Sequence, residues 1–227
     1  MLIIIDRKIP EPAKRDLRKY GDLLELHTSG ITYKAISGHP DIFFCRLQEE
    51  FIVAPNTPEQ ILEIFHINGI NFRKGLTEVG ARYPLSAIYN AVITDNYCIH
   101  NLDHTDPFIL ESAGDLTRIR VNQGYTRCNL LPLKNDHFIT SDRGIYQVLR
   151  KNNLEVLLVD STGIQLQEFK KGFFGGACGV YGNKVFMIGS LDHHHEGDSI
   201  RSFLENLQYE IIELYDGPLY DGGSILF

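Results

Sequence analysis

The chain has 227 residues, 43% of them hydrophobic, with 22 basic and 29 acidic side chains giving a formal net charge of -7. This length suits one domain spanning 1-227, and the apolar content argues against a disordered chain. The acidic balance repels phosphate backbones, and no basic, aromatic-interleaved face overrides it, which argues against nucleic acid as a partner.

The opening run Met1-Leu2-Ile3-Ile4-Ile5 stops at Asp6, Arg7 and Lys8. It is shorter than a signal-peptide core and lacks a basic leader. No later run approaches the length of a membrane span, so no membrane partner is expected and the default compartment is the cytoplasm.

Helical patterns follow at Pro12–Tyr20, after Thr57-Pro58-Glu59-Gln60, at Pro107–Ala113, at Arg143–Lys151 and at Ser199–Leu207. In the second, Thr57 is the expected N-cap, Ile61, Leu62, Ile64 and Phe65 form the apolar face, and Gly69 is the stop. Asp142 and Asp198 are the expected caps of the fourth and fifth helices. A strand pattern follows each helix, at Leu23–His27, Phe72–Leu76, Thr117–Val121, Leu154–Val159 and Tyr209–Leu214.

Between a strand and the next helix lies a hairpin-like pair of apolar segments. The pairs run from His39-Pro40-Asp41 to Ala54-Pro55-Asn56, from Tyr83-Pro84-Leu85 to Ile99-His100-Asn101, from Gly124-Tyr125-Thr126 to Thr140-Ser141-Asp142, and from Gly172-Phe173-Phe174 to Ile188-Gly189-Ser190. Their polar turns are Gln48-Glu49-Glu50, Thr94-Asp95-Asn96, Lys134-Asn135-Asp136 and Gly182-Asn183-Lys184. A fifth copy starts at Gly217-Pro218-Leu219 and supplies one arm, and Leu2–Ile5 has the pattern of the missing one. The chain thus reads as about five units of one helix and three strands, closed by the first and last strands so that two sheet edges disappear. An open Rossmann-like sheet is the rival, but it would show one strand per helix.

The motifs Gly38-His39-Pro40-Asp41, Tyr89-Asn90, Gln123-Gly124-Tyr125-Thr126-Arg127-Cys128, Thr140-Ser141-Asp142-Arg143-Gly144-Ile145, Gly172-Phe173-Phe174-Gly175-Gly176-Ala177 and Asp221-Gly222-Gly223-Ser224-Ile225 resemble a bacterial family of unknown function across nearly the whole chain. The unit also resembles the pentein superfamily, which implies an α/β fold of the β/α-propeller kind. That superfamily holds arginine deiminases, dimethylarginine hydrolases, amidinotransferases and a non-enzymatic ribosome anti-association factor. Its enzymes often carry Asp-Gly-Gly followed by a nucleophilic Cys; here Asp221-Gly222-Gly223 is followed by Ser224-Ile225-Leu226-Phe227, with no Cys.

Rotational equivalence brings the residues entering the inner strands together: Asp41, Ser86 or Asn90, Cys128, Gly175 or Gly176, and Asp221. They outline an expected small-molecule pocket, with Asp41, Asn90, Gln123, Tyr125, Arg127, Gly175, Gly176 and Asp221 as binding residues. The plainer reading is that they satisfy loop backbone groups. Cys128 is the candidate nucleophile, with His39 or His193 as base, against a reading as a small core residue. The glycines of Gly172–Gly179 lack the P-loop ending and suit close backbone approach.

Asp192-His193-His194-His195-Glu196 reads as a polar loop, because adjacent residues point in different directions. No metal and no cofactor is expected. The four cysteines, Cys45, Cys98, Cys128 and Cys178, form no Cys-x-x-Cys and read as buried free thiols. Three functions remain open. One is a small-molecule binding or processing protein for an amidine or guanidine ligand. A second is a Cys-dependent hydrolase or transferase on such groups, and a third is a non-catalytic interaction module. A homo-oligomer is compatible with all three.

Overall fold

The computed structural model describes residues Met1–Phe227, beginning with strand β1 (Leu2–Asp6), helix α1 (Glu11–Leu17) and strand β2 (Asp22–Leu26). A short turn of helix, α2 (Pro40–Phe43), leads into the hairpin β3 (Phe44–Leu47) and β4 (Glu50–Val53), then α3 (Glu59–Ile67) and β5 (Phe72–Lys74). Next come β6 (Val92–Ile93), β7 (Tyr97–His100), α4 (Pro107–Ser112) and β8 (Thr117–Arg120). The order then repeats with α5 (Thr126–Asn129), β9 (Leu130–Leu133), β10 (His137–Thr140), α6 (Arg143–Lys151) and β11 (Glu155–Leu158). A 3-10 turn at Gly175–Ala177 opens the last part, followed by β12 (Cys178–Tyr181), β13 (Lys184–Met187), α7 (Gly197–Asn206) and β14 (Glu210–Glu213).

Four sheets have three strands each, ordered β3-β4-β5, β6-β7-β8, β9-β10-β11 and β12-β13-β14. In each, an antiparallel hairpin is joined on its second strand by a parallel strand reached through a helix. The parallel step needs a crossover, and the helix supplies it. The remaining sheet is the parallel pair β1-β2. On the other side of β1, Ile4 pairs with Leu226: Ile4 N–H donates to the Leu226 carbonyl at 2.8 Å, and Leu226 N–H returns a bond to Ile4 at 3.1 Å. The first strand therefore lies beside the last residues, as the sequence pattern requires. The five sheets are separate, which rules out the single open sheet of the Rossmann alternative.

Local chemistry explains most element boundaries. Asp142 accepts a bond from Ile145 N–H at 2.8 Å and caps α6, whose Ile145 and Leu149 are buried one turn apart and whose last turn carries Arg150 and Lys151. Gly69, at φ +67°, closes α3 in a conformation that disfavours side chains. Two expected caps are not used. Thr57 makes no cap, because α3 starts one residue later, behind Pro58, and the buried Thr57 hydroxyl has no partner. Asp198 lies inside the first turn of α7, behind Glu196, where it still favours the helix dipole. The cap the pattern missed is Asp106, which accepts from Phe108 N–H at 2.9 Å and also from the Leu76 and Thr77 N–H groups, tying α4 to the end of β5.

The inner strands are buried on both faces, since helices cover one side and neighbouring sheets the other. Phe51, Ile52 and Val53 of β4 and Phe138, Ile139 and Thr140 of β10 are consecutive buried residues. Around β3 and α3 the rings of Phe44, Phe51, Phe65 and Phe72 pack with centroids 5.2 to 6.4 Å apart. All four cysteines are buried free thiols. No helix is long and apolar enough to cross a membrane.

Candidate functional site

The first strand of three hairpins is preceded by a short helical turn, and these turns face one another. α2 presents Asp41, α5 presents Arg127 and Cys128, and the Gly175–Ala177 turn presents backbone carbonyls. Asn90 enters from the loop before β6, and Asp221 to Ser224 from the segment that leads to Leu226. The Cys128 thiol donates to Asp41 Oδ2 at 3.0 Å, and the Ser224 hydroxyl donates to the same oxygen at 2.8 Å. Asn90 braces both partners. Its amide donates to the Asp41 carbonyl at 2.9 Å and approaches the Cys128 sulfur at 3.3 Å, while its oxygen accepts from Cys128 N–H at 3.1 Å.

Asp221 is fixed by backbone: Phe173 N–H donates at 2.9 Å and Gly223 N–H at 3.0 Å. Two glycines make room. A Cβ on Gly176 would run into Asp221 Oδ1, and one on Gly223, at φ +67°, would run into His39. Arg127 spans to the next unit, donating to the Gly175 carbonyl at 2.9 Å and the Cys178 carbonyl at 3.3 Å. His39 contributes an imidazole within 4.8 Å of the Asp41 and Cys128 donor atoms. Behind it, Asp6 Oδ2 lies 3.7 Å from His39 Nε2 and 3.4 Å from Lys8 Nζ.

Burial dominates the electrostatics. Asp41, Asp221, Cys128 and His39 are all at most 3% exposed. Removing carboxylates from water disfavours the charged form, so Asp41 is raised and Asp221 is pushed up to about 7, with Asp41 adding repulsion. Asp6 rises to about 6 for the same reason, against the pull of Lys8. Burial, then the Asp41 charge, drives the Cys128 thiol well above its ordinary value. Burial also lowers His39 to about 3, so its 3.7 Å contact with Asp6 is not an ion pair at neutral pH. Two atoms here, His39 Nδ1 and Asp41 Oδ1, are buried with no hydrogen-bond partner, as is Asp6 Oδ2. Each such atom costs about 1–3 kcal/mol.

Aromatic side chains roof the cluster. Tyr125 shares a 2.6 Å bond with Ser86 and accepts one from Tyr33 at 3.3 Å. The Tyr33 ring meets exposed Phe169 at 6.0 Å, and Lys34 pairs with Glu168 at 3.4 Å. Phe169 and Glu168 sit on the segment between Gln165, whose N–H and carbonyl bond Leu219 and Asp221, and Gly172, which packs on Asp221. A cavity of about 500 Å³ opens at the hairpin-turn end, lined by Arg46, Thr94, Asp95, Arg127, Tyr181 and Phe227 among others. The five main cavities are lined by other residues than Asp41, Asn90, Cys128, Asp221 and Ser224.

The structure thus brings Asp41, Asn90, Cys128, Gly175, Gly176, Asp221 and His39 together, with Arg127 beside them. These residues pack on one another, and of them only Arg127 lines one of the five main cavities. Two residues stand apart. His193 bonds exposed Asp216 at 2.7 Å and lines a different groove with Lys8, Phe169 and Tyr220. Gln123 donates to Asp142 at 3.2 Å and accepts from Tyr125 N–H at 3.0 Å, which makes it a loop tie. Tyr125 serves as roof. The His193–Glu196 run behaves as a loop: buried His194 bonds the Asp160 carbonyl at 2.9 Å, and Glu196 accepts from Asp160 N–H at 2.5 Å. Ser224 and Asp6 were not among the expected site residues. For Ser224 the signal was its position on the fifth copy, where the superfamily pattern led attention to an absent Cys.

A family model described as "Family of unknown function (DUF6873)" matches residues 4–226. The chain belongs to this family. No curated protein matches the sequence. Among solved structures, the chain is similar to dimethylarginine dimethylaminohydrolase from Pseudomonas aeruginosa in complex with citrulline, at 11% identity and a TM-score of 0.55, covering 93% of this chain and 91% of that one. It is similar to an amidinotransferase of saxitoxin biosynthesis from Microseira wollei, at 10% identity and a TM-score of 0.54, covering 93% and 87%. It is also similar to inosamine-phosphate amidinotransferase from Streptomyces griseus, at 8% identity and a TM-score of 0.52, covering 96% and 80%. These neighbours are pentein superfamily members, and the shared feature is the α/β fold.

Proposed function

We propose that the chain binds a small cationic ligand of the amidine or guanidine class where Asp41, Cys128 and Asp221 converge, inside one domain whose five sheets close as a ring. The observation that carries this reading is the buried Asp41 Oδ1, which has no donor, beside a second buried carboxylate, Asp221, raised by burial and by Asp41. A planar cation supplies N–H donors and positive charge to both. The fold neighbours support the ligand class, since they include a dimethylarginine dimethylaminohydrolase and an amidinotransferase. Entry requires the segment bearing Glu168 and Phe169 to move off Tyr33 and Lys34.

Processing at this site would use Cys128. A bound cation offsets the Asp41 charge that helps hold the thiol protonated, so a thiolate forms only with ligand present. Neutral His39 stands in reach of the thiol, and it takes the proton only once opening of the site relieves the burial that lowers it to about 3. The competing reading, a non-catalytic interaction module, draws support from the burial of that same thiol and from its distance from the main cavities.

Isothermal titration with methylguanidine and acetamidine is the test. Saturable binding that weakens at least about tenfold in Asp41→Asn and Asp221→Asn supports the reading. No heat at millimolar ligand, or unchanged affinity in both folded variants, overturns it and leaves the interaction module.

A further inference from the structure

We propose that His39, Asp41 and Cys128 form a three-ligand site for a zinc-class divalent ion, and that an ion there excludes the organic cation. The metal site stands on the donor geometry alone, and its exclusion of the organic cation rests on the amidine reading. It also departs from the sequence expectation of no metal.

One nitrogen, one oxygen and one sulfur lie within 4.8 Å of one another, all buried, and each belongs to a different type of zinc ligand. Ligand atoms around a tetrahedral zinc, at about 2.0 to 2.3 Å from the ion, stand roughly 3.3 to 3.8 Å apart, so closing on an ion takes sub-ångström to ångström shifts. Two of the three residues present an atom that nothing in the fold satisfies, His39 Nδ1 and Asp41 Oδ1. A buried lone pair without a donor is costly, and an ion removes the cost at both atoms.

The outer shell fits as well. A metal-bound imidazole coordinates through one nitrogen and is oriented through the other, commonly by a carboxylate. Asp6 Oδ2 sits 3.7 Å from His39 Nε2, itself without a partner, and Lys8 holds Asp6 from behind. That leaves Nδ1 as the coordinating atom. Asn90 holds the Cys128 backbone N–H, and its amide nitrogen, which also donates to the Asp41 carbonyl, stands 3.3 Å from the sulfur, which supports a thiolate there. On binding, the metal–sulfur bond replaces the S–H bond, and the proton leaves to solvent. Three protein ligands leave a fourth position for water or a small ligand.

The His193–His195 run is the competing place for an ion, but His193 turns to Asp216 while buried His194 and exposed His195 turn to Asp160. The experiment titrates the metal-free full chain with Co(II) and Zn(II). Expected are about one equivalent bound, a thiolate-to-cobalt charge-transfer band, and loss of that band in Cys128→Ser. Asp6→Asn, which keeps all three ligands, should weaken zinc about 10–100-fold. Methylguanidine affinity should fall as zinc saturates. If Cys128→Ser fails to fold, X-ray absorption of the zinc-loaded wild type decides, with one sulfur in the shell as the expected result. No uptake, a shell without sulfur, or uptake abolished by His193→Ala with His195→Ala instead overturns the proposal. Zinc binding with no methylguanidine binding retains the metal site and removes the organic ligand.

Discussion

Cys128 and Asp41 meet across 3.0 Å from positions 87 residues apart, the thiol donating and the carboxylate accepting. The thiol's hydrogen bond favours the Asp41 carboxylate, whereas the Asp41 charge makes the thiol harder to ionise. The contact is the hinge between an inert and a reactive cysteine.

Asp41→Asn tests that coupling. The substitution keeps shape and removes the charge that, after burial, holds the thiol up. Carbon-13 NMR of labelled cysteine should show the Cys128 midpoint moving down by about one unit or more. An unchanged or higher midpoint would mean that burial alone sets it.

Asp221 gives the fold a pH dependence of defined sign. Its folded value is about 7 against an ordinary 3.8, so between these values the folded chain keeps a proton that the unfolded chain has lost. Its contribution is fully present at low pH and is lost as pH rises from about 4 through about 7. Asp6, at about 6, acts in the same direction. Urea midpoints measured from pH 4 to 8 should fall less steeply for Asp221→Asn than for the wild type. Parallel curves for the two proteins would rule this out.

Phe65 and Ile67 lie two residues apart on α3 with opposite environments. Phe65 is 0% exposed among Phe44, Phe51 and Phe72, while Ile67 is 83% exposed. Phe65→Ala should cost about 3–5 kcal/mol in equilibrium unfolding, and Ile67→Ala within about 0.5 kcal/mol of zero. Similar costs at both sites would contradict the packing described.

Leu226→Pro removes the N–H that Leu226 gives to Ile4. A loss of about 1–3 kcal/mol is expected, because the Ile4 carbonyl is left buried without a donor. Hydrogen exchange at the Ile4 amide should quicken at the same time. Wild-type stability in this variant would show that the pairing contributes little.

The helices and hairpins were legible because short-range rules act on them. Arg143–Lys151 has a cap, a stop and a 3.6-residue period, and the structure starts and ends α6 at those residues. Thr57 and Asp198 are not the caps because α3 starts one residue later, behind Pro58, and α7 starts earlier, at Gly197. The meeting of Asp41, Cys128 and Asp221 could be read from equivalent places in the aligned segments. Whether the space between them stays open could not, since that depends on side-chain volumes packed across five segments. Asp6 escaped because its role depends on a contact with His39, which no local pattern encodes.

The bond between Ile4 and Leu226 joins nearly the whole length of the polypeptide into one loop. Closing so long a loop carries the largest entropic cost of any contact here and has no local structure to hasten it. During synthesis, the outer edge of β1 waits unpaired until Leu226 has left the ribosome. β1 is therefore completed late, and it passes a long interval open to pairing with a wrong neighbour.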